Sequence, residues 1–219
     1  MICPNGIKPP ILPPLMQDVQ PVYSFLGQKK NIVLTTHQKP DGDAMGASLG
    51  LYHFLKELGE QVTVIVPTNW AGFLDWMPGS DKVINYEDNR EEAEQIIYNA
   101  DLLFCLDFNA MYRTKHMERI LTEISCVKIL LDHHEQPQED AFDYGISDVA
   151  KSSASEIVYD FIANSPYKDI LNKDIATCLF TGIMTDTGSF RFTIATANVH
   201  RVVADLKDTG IDHSVIFEN

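Results

Sequence analysis

The chain has 219 residues, with 17 Lys and Arg against 31 Asp and Glu, and a formal net charge of −14. This length suits one large domain with a substantial core, and the acidic balance excludes passive binding of a phosphate backbone, which requires a basic face. No apolar run approaches the ~20 residues of a membrane-spanning helix, and the N-terminus lacks the regions of a secretory signal.

The predicted elements alternate between strands and helices along the chain. Residues 1–15 contain five prolines and are predicted to be a flexible extension, followed by a domain at 16–215. Apolar runs predict strands at 31–36, 62–66, 102–107, 127–131 and 145–149. Helical periodicity predicts helices at 16–28, 44–58, 90–99, 113–125, 153–164, 173–185 and 196–209, with a long packed connection at 67–89. The alternation predicts an α/β fold with three α/β/α layers and a mainly parallel sheet of about five strands.

The four cysteines lie far apart without paired spacing: Cys3, Cys105, Cys126 and Cys178. The last three lie in apolar stretches, where each is predicted to be a small buried hydrophobic side chain. This usage fits a reducing compartment, so we predict a cytoplasmic protein with no membrane partner.

Acids and histidines follow the strands at the points where the strands end. The segment THQKPDGDAMG follows the first strand, Asp107 ends the third, and Asp132, His133 and His134 follow the fourth. The segment MTDTGSF adds Asp186 at a helix end. Because ligands bind at the carboxyl ends of parallel strands, these side chains are expected to converge. Carboxylates with a few imidazoles suit manganese, magnesium or iron, and two such ions support phosphoester hydrolysis.

Each of these residues alone also fits a structural role. Asp43 precedes a predicted helix and fits an N-cap, and a lone His37 or His133 is more often a hydrogen-bonded side chain than a ligand. Four acid-rich segments at one sheet edge are hard to explain as independent caps, so the set as a whole favours a metal site. The remaining histidines lack this acidic context and are interpreted as structural: His53, His116, His200 and His213.

Together, THQKPDGDAMG, LDFN, LDHHEQP and MTDTGSF resemble the motifs of the DHH phosphoesterases in order and spacing, over about residues 20–215. The similarity is strongest to the branch of oligoribonucleases and 3′,5′-bisphosphate nucleotide phosphatases, often called NrnA-like. It implies hydrolysis of short RNA oligonucleotides to mononucleotides, or of 3′-phosphoadenosine 5′-phosphate to adenosine monophosphate, by water that two metal ions activate. It also implies a homodimer, for which the sequence itself carries no signal.

The same resemblance implies roles for individual residues. Six residues would hold two Mn²⁺ ions, with Mg²⁺ or another divalent ion as an alternative: His37 and Asp41 the first ion, Asp43, His133 and Asp186 the second, and Asp107 bridging them. Asp107 would thereby take part in catalysis, together with Asp132, which would orient a histidine by hydrogen bonding to its ring. His134 would contact the substrate phosphate.

Four further residues are predicted to contact substrate phosphate: Arg113, Arg191, Ser152 and Ser153. The arginines lie beside the Asp107 and Asp186 segments, where an exposed structural role explains each of them equally well. The serines open a helix whose N-terminus attracts anions, although capping of that helix explains them equally well.

The chain departs from the family pattern in one respect. The resemblance implies a C-terminal domain with a Gly-rich, histidine-containing motif that grips the nucleotide, and no such motif occurs here. We therefore expect the chain to contain the catalytic half without its substrate-binding domain, and to bind metal while turning over oligonucleotides poorly.

Three alternative functions stay open. They are a cyclic or linear dinucleotide phosphodiesterase, a family II inorganic pyrophosphatase, and a metal-bound regulatory module without turnover. The DHHEQP and TDTGSF segments favour the nucleotide branch, and the complete ligand set argues against a module without activity.

Overall fold

The computed structural model describes residues 18–219. The extension predicted at 1–15 lies outside the described residues, as do the first two residues of the helix predicted at 16–28. The helices are α1 Gln20–Tyr23, α2 Gly42–Glu57, α3 Arg90–Tyr98, α4 Glu118–Glu123, α5 Ala154–Ala163, α6 Lys173–Asp186, α7 Ala197–Asp208 and α8 His213–Glu218. The strands are β1 Asn31–Thr35, β2 Gln61–Val66, β3 Ile84–Asn85, β4 Leu102–Leu106, β5 Val127–Asp132 and β6 Tyr144–Ser147. Over this range, no helix is long and apolar enough to cross a membrane.

The strands form one sheet in the order β3-β2-β1-β4-β5-β6, and every neighbouring pair is parallel. The predicted α/β fold with a parallel sheet is therefore confirmed. The sheet has six strands rather than about five, because Ile84 and Asn85 pair with β2 at its edge. Two residues are too few to give a recognisable strand pattern within the connection at 67–89.

Helices cover both faces of the sheet and form the predicted outer layers. In β1, Val33 faces one side, whereas Ile32 and Leu34 face the other, as the two-residue period of a strand requires. Helices α3 and α4 cover the Val33 side, and α2, α5, α6 and α7 cover the opposite side. Both faces are buried, which explains why the strands read as continuous apolar runs.

Two helix predictions are wrong in extent. The helix predicted at 16–28 is reduced to four residues, with Pro21 in its first turn, and the chain turns at Gly27 with φ +78°. The helix predicted at 113–125 begins as a 3-10 segment at Met111–Met117, in which Lys115 has φ +51°, and becomes α-helical only in α4. The structure also adds α8, which the sequence patterns did not predict.

Glycines on one face of α2 allow α6 to lie unusually close to it. A Cβ atom at Gly46 would lie 2.6 Å from the Cys178 carbonyl oxygen, and one at Gly50 would lie 2.5 Å from the Leu179 side chain. Gly182 on α6 faces Gly46 in return, since the added Cβ would lie 2.8 Å from the Gly182 nitrogen. This close contact brings the beginning of α2 and the end of α6 together beside the carboxyl edge of the sheet.

Candidate metal centre

The carboxyl edge of the sheet brings together the six residues that the motifs single out as ligands. Three groups offer ligating atoms that lie within 4.8 Å of one another: His37, Asp41 and Asp107; Asp43, His133 and Asp186; and Asp107, His133 and His134. The first two groups match the division between two ions that the resemblance implies. Asp107 lies in the first group and also contacts the second through His133.

Asp107 lies at the centre of the cluster. It follows β4 directly, adopts a left-handed backbone with φ +61°, and donates its backbone N–H to the Leu131 carbonyl oxygen. Its Oδ2 lies 3.4 Å from His37 Nε2, and its Oδ1 lies 3.3 Å from His133 Nε2. A left-handed conformation is costly for a residue other than glycine, although aspartate tolerates it, and such backbone often marks a functional position.

The charge on Asp107 depends on its two histidine neighbours. Burial alone would raise the pKa of this carboxyl, but hydrogen bonding to His133 and His37 lowers it to about 2. Its Oδ1 nevertheless has no well-aligned hydrogen-bond partner among the described residues. A buried, ionised carboxylate oxygen without a partner is costly, and a cation held by Asp107 and its neighbouring ligands would satisfy it.

The loop after β1 presents His37 and Asp41 to one side of Asp107. His37 Nδ1 donates to the Gln38 carbonyl oxygen at 2.8 Å, which leaves Nε2 free as a ligand. Asp41 is the N-cap of α2, and its Oδ1 accepts from the backbone N–H groups of Asp43 and Ala44 at 3.1 and 3.0 Å. The second oxygen, Oδ2, lies 3.9 Å from His37 Nε2. One carboxylate therefore caps the helix and still offers an oxygen to the cluster.

Asp43 is fully buried and is held by the first turn of α5. The backbone N–H groups of Ala154 and Ser155 donate to its two oxygens at 2.6 and 2.9 Å. Burial, followed by the charges of Asp107 and Asp186, raises the pKa of Asp43 well above its usual value. Two backbone donors fix the carboxylate in place, and a neighbouring cation would reverse the effect of the adjacent negative charges.

His133 and Asp186 complete the second group. His133 Nε2 lies 3.4 Å from Asp186 Oδ2 and 3.9 Å from Asp43 Oδ2. Burial disfavours the charged ring, but hydrogen bonding to Asp107 and the surrounding carboxylates outweigh it and raise the pKa of His133 to about 9. Burial and the charge of Asp107 raise the pKa of Asp186 to about 6. In the metal-free chain, protons therefore compensate part of the negative charge.

Asp132 contacts His134 rather than His133. His134 Nδ1 lies 2.7 Å from Asp132 Oδ1, and the aspartate is completely buried at the end of β5. The His134 side chain is 35% exposed, so its second nitrogen can reach a molecule bound at the cluster. Asp132 therefore accepts a hydrogen bond from a histidine ring, as expected, and the phosphate contact of His134 stays a prediction.

The predicted phosphate-binding residues lie close by but are partly engaged elsewhere. Ser153 Oγ caps α5 by accepting from the Glu156 N–H at 3.0 Å, and the next two N–H groups of α5 bind Asp43, so this helix end faces a carboxylate of the chain itself. Ser152 Oγ is buried without a hydrogen-bond partner among the described residues. Arg191 Nε donates to the Gly188 carbonyl oxygen at 2.7 Å, and the Arg113 carbonyl oxygen accepts from the Gln38 N–H at 2.9 Å. Contacts of these four residues with substrate stay predictions.

The sequence patterns missed the structural support of Asp43. A Cβ atom at Gly182 would clash with Ser155 Oγ and would lie 2.8 Å from Asp43 Oδ1, so glycine is required where α2, α5 and α6 meet. A sequence signal for this close helix packing was present: α2 has glycines four residues apart, at Gly42, Gly46 and Gly50. Such a repeat is unusual in a helix interior.

Binding of a divalent cation is expected to release protons and to strengthen from about pH 6 to about pH 8, because the ligands must be unprotonated. The raised pKa values of His133 and Asp186 belong to the metal-free chain, so each proton must leave when the cation binds. At about pH 7.5 we expect release of at least about one proton per chain, from His133 and from Asp43, whose pKa values are both raised. Titration calorimetry with Mn²⁺ in buffers of different ionisation enthalpy measures this number. An affinity independent of pH would contradict the protonation pattern.

Comparison with known proteins gives a consistent picture. A model of the DHH family, N-terminal domain, matches residues 31–183. The "Bifunctional oligoribonuclease and PAP phosphatase NrnA" of Thermus thermophilus is 31% identical over 184 residues, which are 82% of this chain and 50% of that protein. The protein of the same description from Bacillus subtilis is 28% identical over 191 residues, which are 85% of this chain and 55% of that protein. The chain thus spans about half the length of the curated relatives it matches.

Among solved structures, the chain is similar to an exopolyphosphatase-related protein from Bacteroides fragilis. The two are 38% identical and superpose with a TM-score of 0.86, over 90% of this chain and 58% of that one. The shared part includes nearly all of the described fold.

Proposed function

The chain belongs to the DHH family, and from that premise we propose that it is a metal-dependent phosphoesterase that acts on nucleotides. Its substrates in this proposal are short RNA oligonucleotides, cut to mononucleotides, and 3′-phosphoadenosine 5′-phosphate, cut to adenosine monophosphate. Two relatives described as oligoribonucleases and PAP phosphatases support this choice. The observation that carries the proposal is Asp107, whose two oxygens face two different groups of ligating side chains.

The proposed cofactor is a pair of Mn²⁺ ions. His37, Asp41 and Asp107 would hold one, and Asp43, His133 and Asp186 the other, with Asp107 shared. The donor set fits, since carboxylate oxygens with a minority of imidazoles suit manganese better than a thiolate-preferring structural zinc site. When bound, such a pair supplies a nucleophilic water at neutral pH and polarises the phosphoryl oxygens.

The remaining residues of the edge would bind and orient the scissile phosphate. Hydrolysis adds a water oxygen to phosphorus and breaks the bond to the ribose oxygen, which takes up a proton. His134 has its Nδ1 on Asp132, so its Nε2 would be the ring nitrogen that contacts a phosphoryl oxygen. Asp132 thereby fixes the ring orientation. Cytoplasmic location and homodimerisation stay predictions.

A substrate panel tests the proposal. The purified chain with Mn²⁺ is incubated in parallel with a diribonucleotide, 3′-phosphoadenosine 5′-phosphate, a cyclic dinucleotide, pyrophosphate and tripolyphosphate, and products are separated by chromatography. We expect slow mononucleotide release from the first, detectable at high protein concentration, and phosphate release from the second, with pyrophosphate uncleaved. Faster cleavage of pyrophosphate would favour the pyrophosphatase alternative. Metal binding without cleavage of any of the five would favour the regulatory module.

A further inference from the structure

Phe192 is a large apolar side chain left in solvent beside the candidate metal centre. It is 58% exposed, and it follows Asp186 by six residues in the turn that leaves α6. Burying a phenylalanine ring would be favourable, so its exposure forfeits part of that free energy. Exposed aromatic rings next to a binding site commonly contact a ligand.

The turn after α6 gives the Phe192 ring a defined seat. Gly188 has φ +56°, and a Cβ atom there would lie 2.5–2.8 Å from three atoms at the far end of the ring. The backbone N–H groups of Arg191 and Phe192 both donate to the Thr187 carbonyl oxygen, at 3.0 and 3.1 Å. The glycine is therefore needed twice, for its backbone conformation and for the space that the ring fills.

This seat lies within reach of the metal ligands. Gly188 is two residues beyond Asp186, a span of at most about 7 Å, and Asp186 Oδ2 is 3.4 Å from His133 Nε2. Arg191, in the same turn, is exposed and positively charged within a strongly acidic chain. A ligand with a phosphate at the metal centre and a flat, apolar ring a short distance away would engage both features.

We propose that Phe192, seated on Gly188, is the stacking platform for the nucleobase next to the scissile phosphate. The inference rests on the proposed nucleotide substrate and deepens it, because stacking accepts any base and suits an enzyme that acts on RNA of varied sequence. Tyr112 is similarly exposed, at 64%, in the 3-10 segment Met111–Met117 after β4, and is the alternative aromatic ring that the test must distinguish. Tyr98, 63% exposed, ends α3 and leads into the amino end of β4, opposite the metal centre, and so serves as the control.

The test measures binding of a fluorescent mononucleotide, the 5′-monophosphate of 2-aminopurine riboside, to the full chain with Mg²⁺. Stacking quenches this base, so we expect quenching with the wild type, Phe192→Trp and Tyr98→Leu. Phe192→Leu should lose the quenching and bind about tenfold more weakly. Binding of ribose 5-phosphate, which has no base, should be the same for Phe192→Leu and the wild type by calorimetry.

Two results would overturn the inference in distinguishable ways. If the wild type cleaves a diribonucleotide and Phe192→Leu still binds and quenches the probe like the wild type, the stacking role is wrong and the proposed function stands. Loss of quenching in Tyr112→Leu instead of Phe192→Leu has the same meaning. If the wild type neither cleaves the diribonucleotide nor binds the probe, the proposed function fails, and the stacking role fails with it.

Discussion

Replacing Asp107 by asparagine is expected to lower kcat/KM on a diribonucleotide about a thousandfold or more, because the proposed bridging ligand would support both proposed ions, and such ions supply several kcal/mol to catalysis. Asparagine keeps the size of the side chain and tolerates the left-handed backbone at this position, φ +61°. It removes the negative charge that faces both His37 and His133. The expected defect therefore arises from the lost cation ligand and leaves the fold intact.

Three measurements separate this explanation from misfolding. Without metal, the melting temperature of Asp107→Asn should stay within about 5 °C of the wild type, while Mn²⁺ should no longer raise it. Calorimetry should show loss of at least one Mn²⁺ site. Asp140→Asn removes the same charge from an exposed residue after β5 and should behave like the wild type in all three. Wild-type turnover by Asp107→Asn in Mn²⁺ would show that Asp107 is not a bridging ligand.

The sequence contained enough information to predict the sheet and the acidic and histidine side chains that meet at its carboxyl edge. Parallel strands that are buried on both faces appear in the sequence as continuous apolar runs, such as Leu102–Leu106. The first polar residue after each run marks the end of the strand. Because the strands are parallel, these ends share one edge, so Asp107 and His133 had to approach each other whatever the details of the loops. The resemblance to a known family added the division of ligands between two ions, which residue types alone did not give.

The interactions that the sequence did not reveal depend on distant or irregular backbone. Asp43 is held by N–H groups 111 and 112 residues away, and backbone donors carry no residue-specific signature. The 3-10 segment Met111–Met117 is interrupted at Lys115, which has φ +51°. Nothing about a lysine predicts a left-handed backbone at this position. The edge strand Ile84–Asn85 is shorter than any recognisable period. In each case, the local sequence allows several conformations, and tertiary contacts determine which of them the chain adopts.

Gly182→Ala is expected to destabilise the chain by about 2–3 kcal/mol, the cost of overpacking a tight junction, and to weaken Mn²⁺ binding about tenfold. The new methyl group would clash with Ser155 Oγ and would lie 2.8 Å from Asp43 Oδ1. Since α2 and α6 are already close at Gly46, neither helix can retreat without moving Asp43 or Asp186. Gly182 is not one of the proposed ligands, yet adding a single methyl group there should therefore impair the metal centre.

Thermal denaturation and Mn²⁺ titration of two further variants test whether the clash is the cause. At Gly72, a Cβ atom would meet only Asp75 Oδ2, at 3.6 Å, so Gly72→Ala should change neither stability nor affinity. Adding Ser155→Ala to Gly182→Ala removes the nearest clashing atom and keeps the Ser155 backbone N–H on Asp43, while Asp43 Oδ1 and Ser155 Cβ stay at 2.8 Å, so it should restore part of the lost Mn²⁺ affinity. If Gly182→Ala proved as stable and as tight in binding as Gly72→Ala, close packing of α2, α5 and α6 would not be what fixes Asp43. If the double variant bound no better than Gly182→Ala alone, the damage would come from the α2–α6 contact rather than from the Ser155 clash.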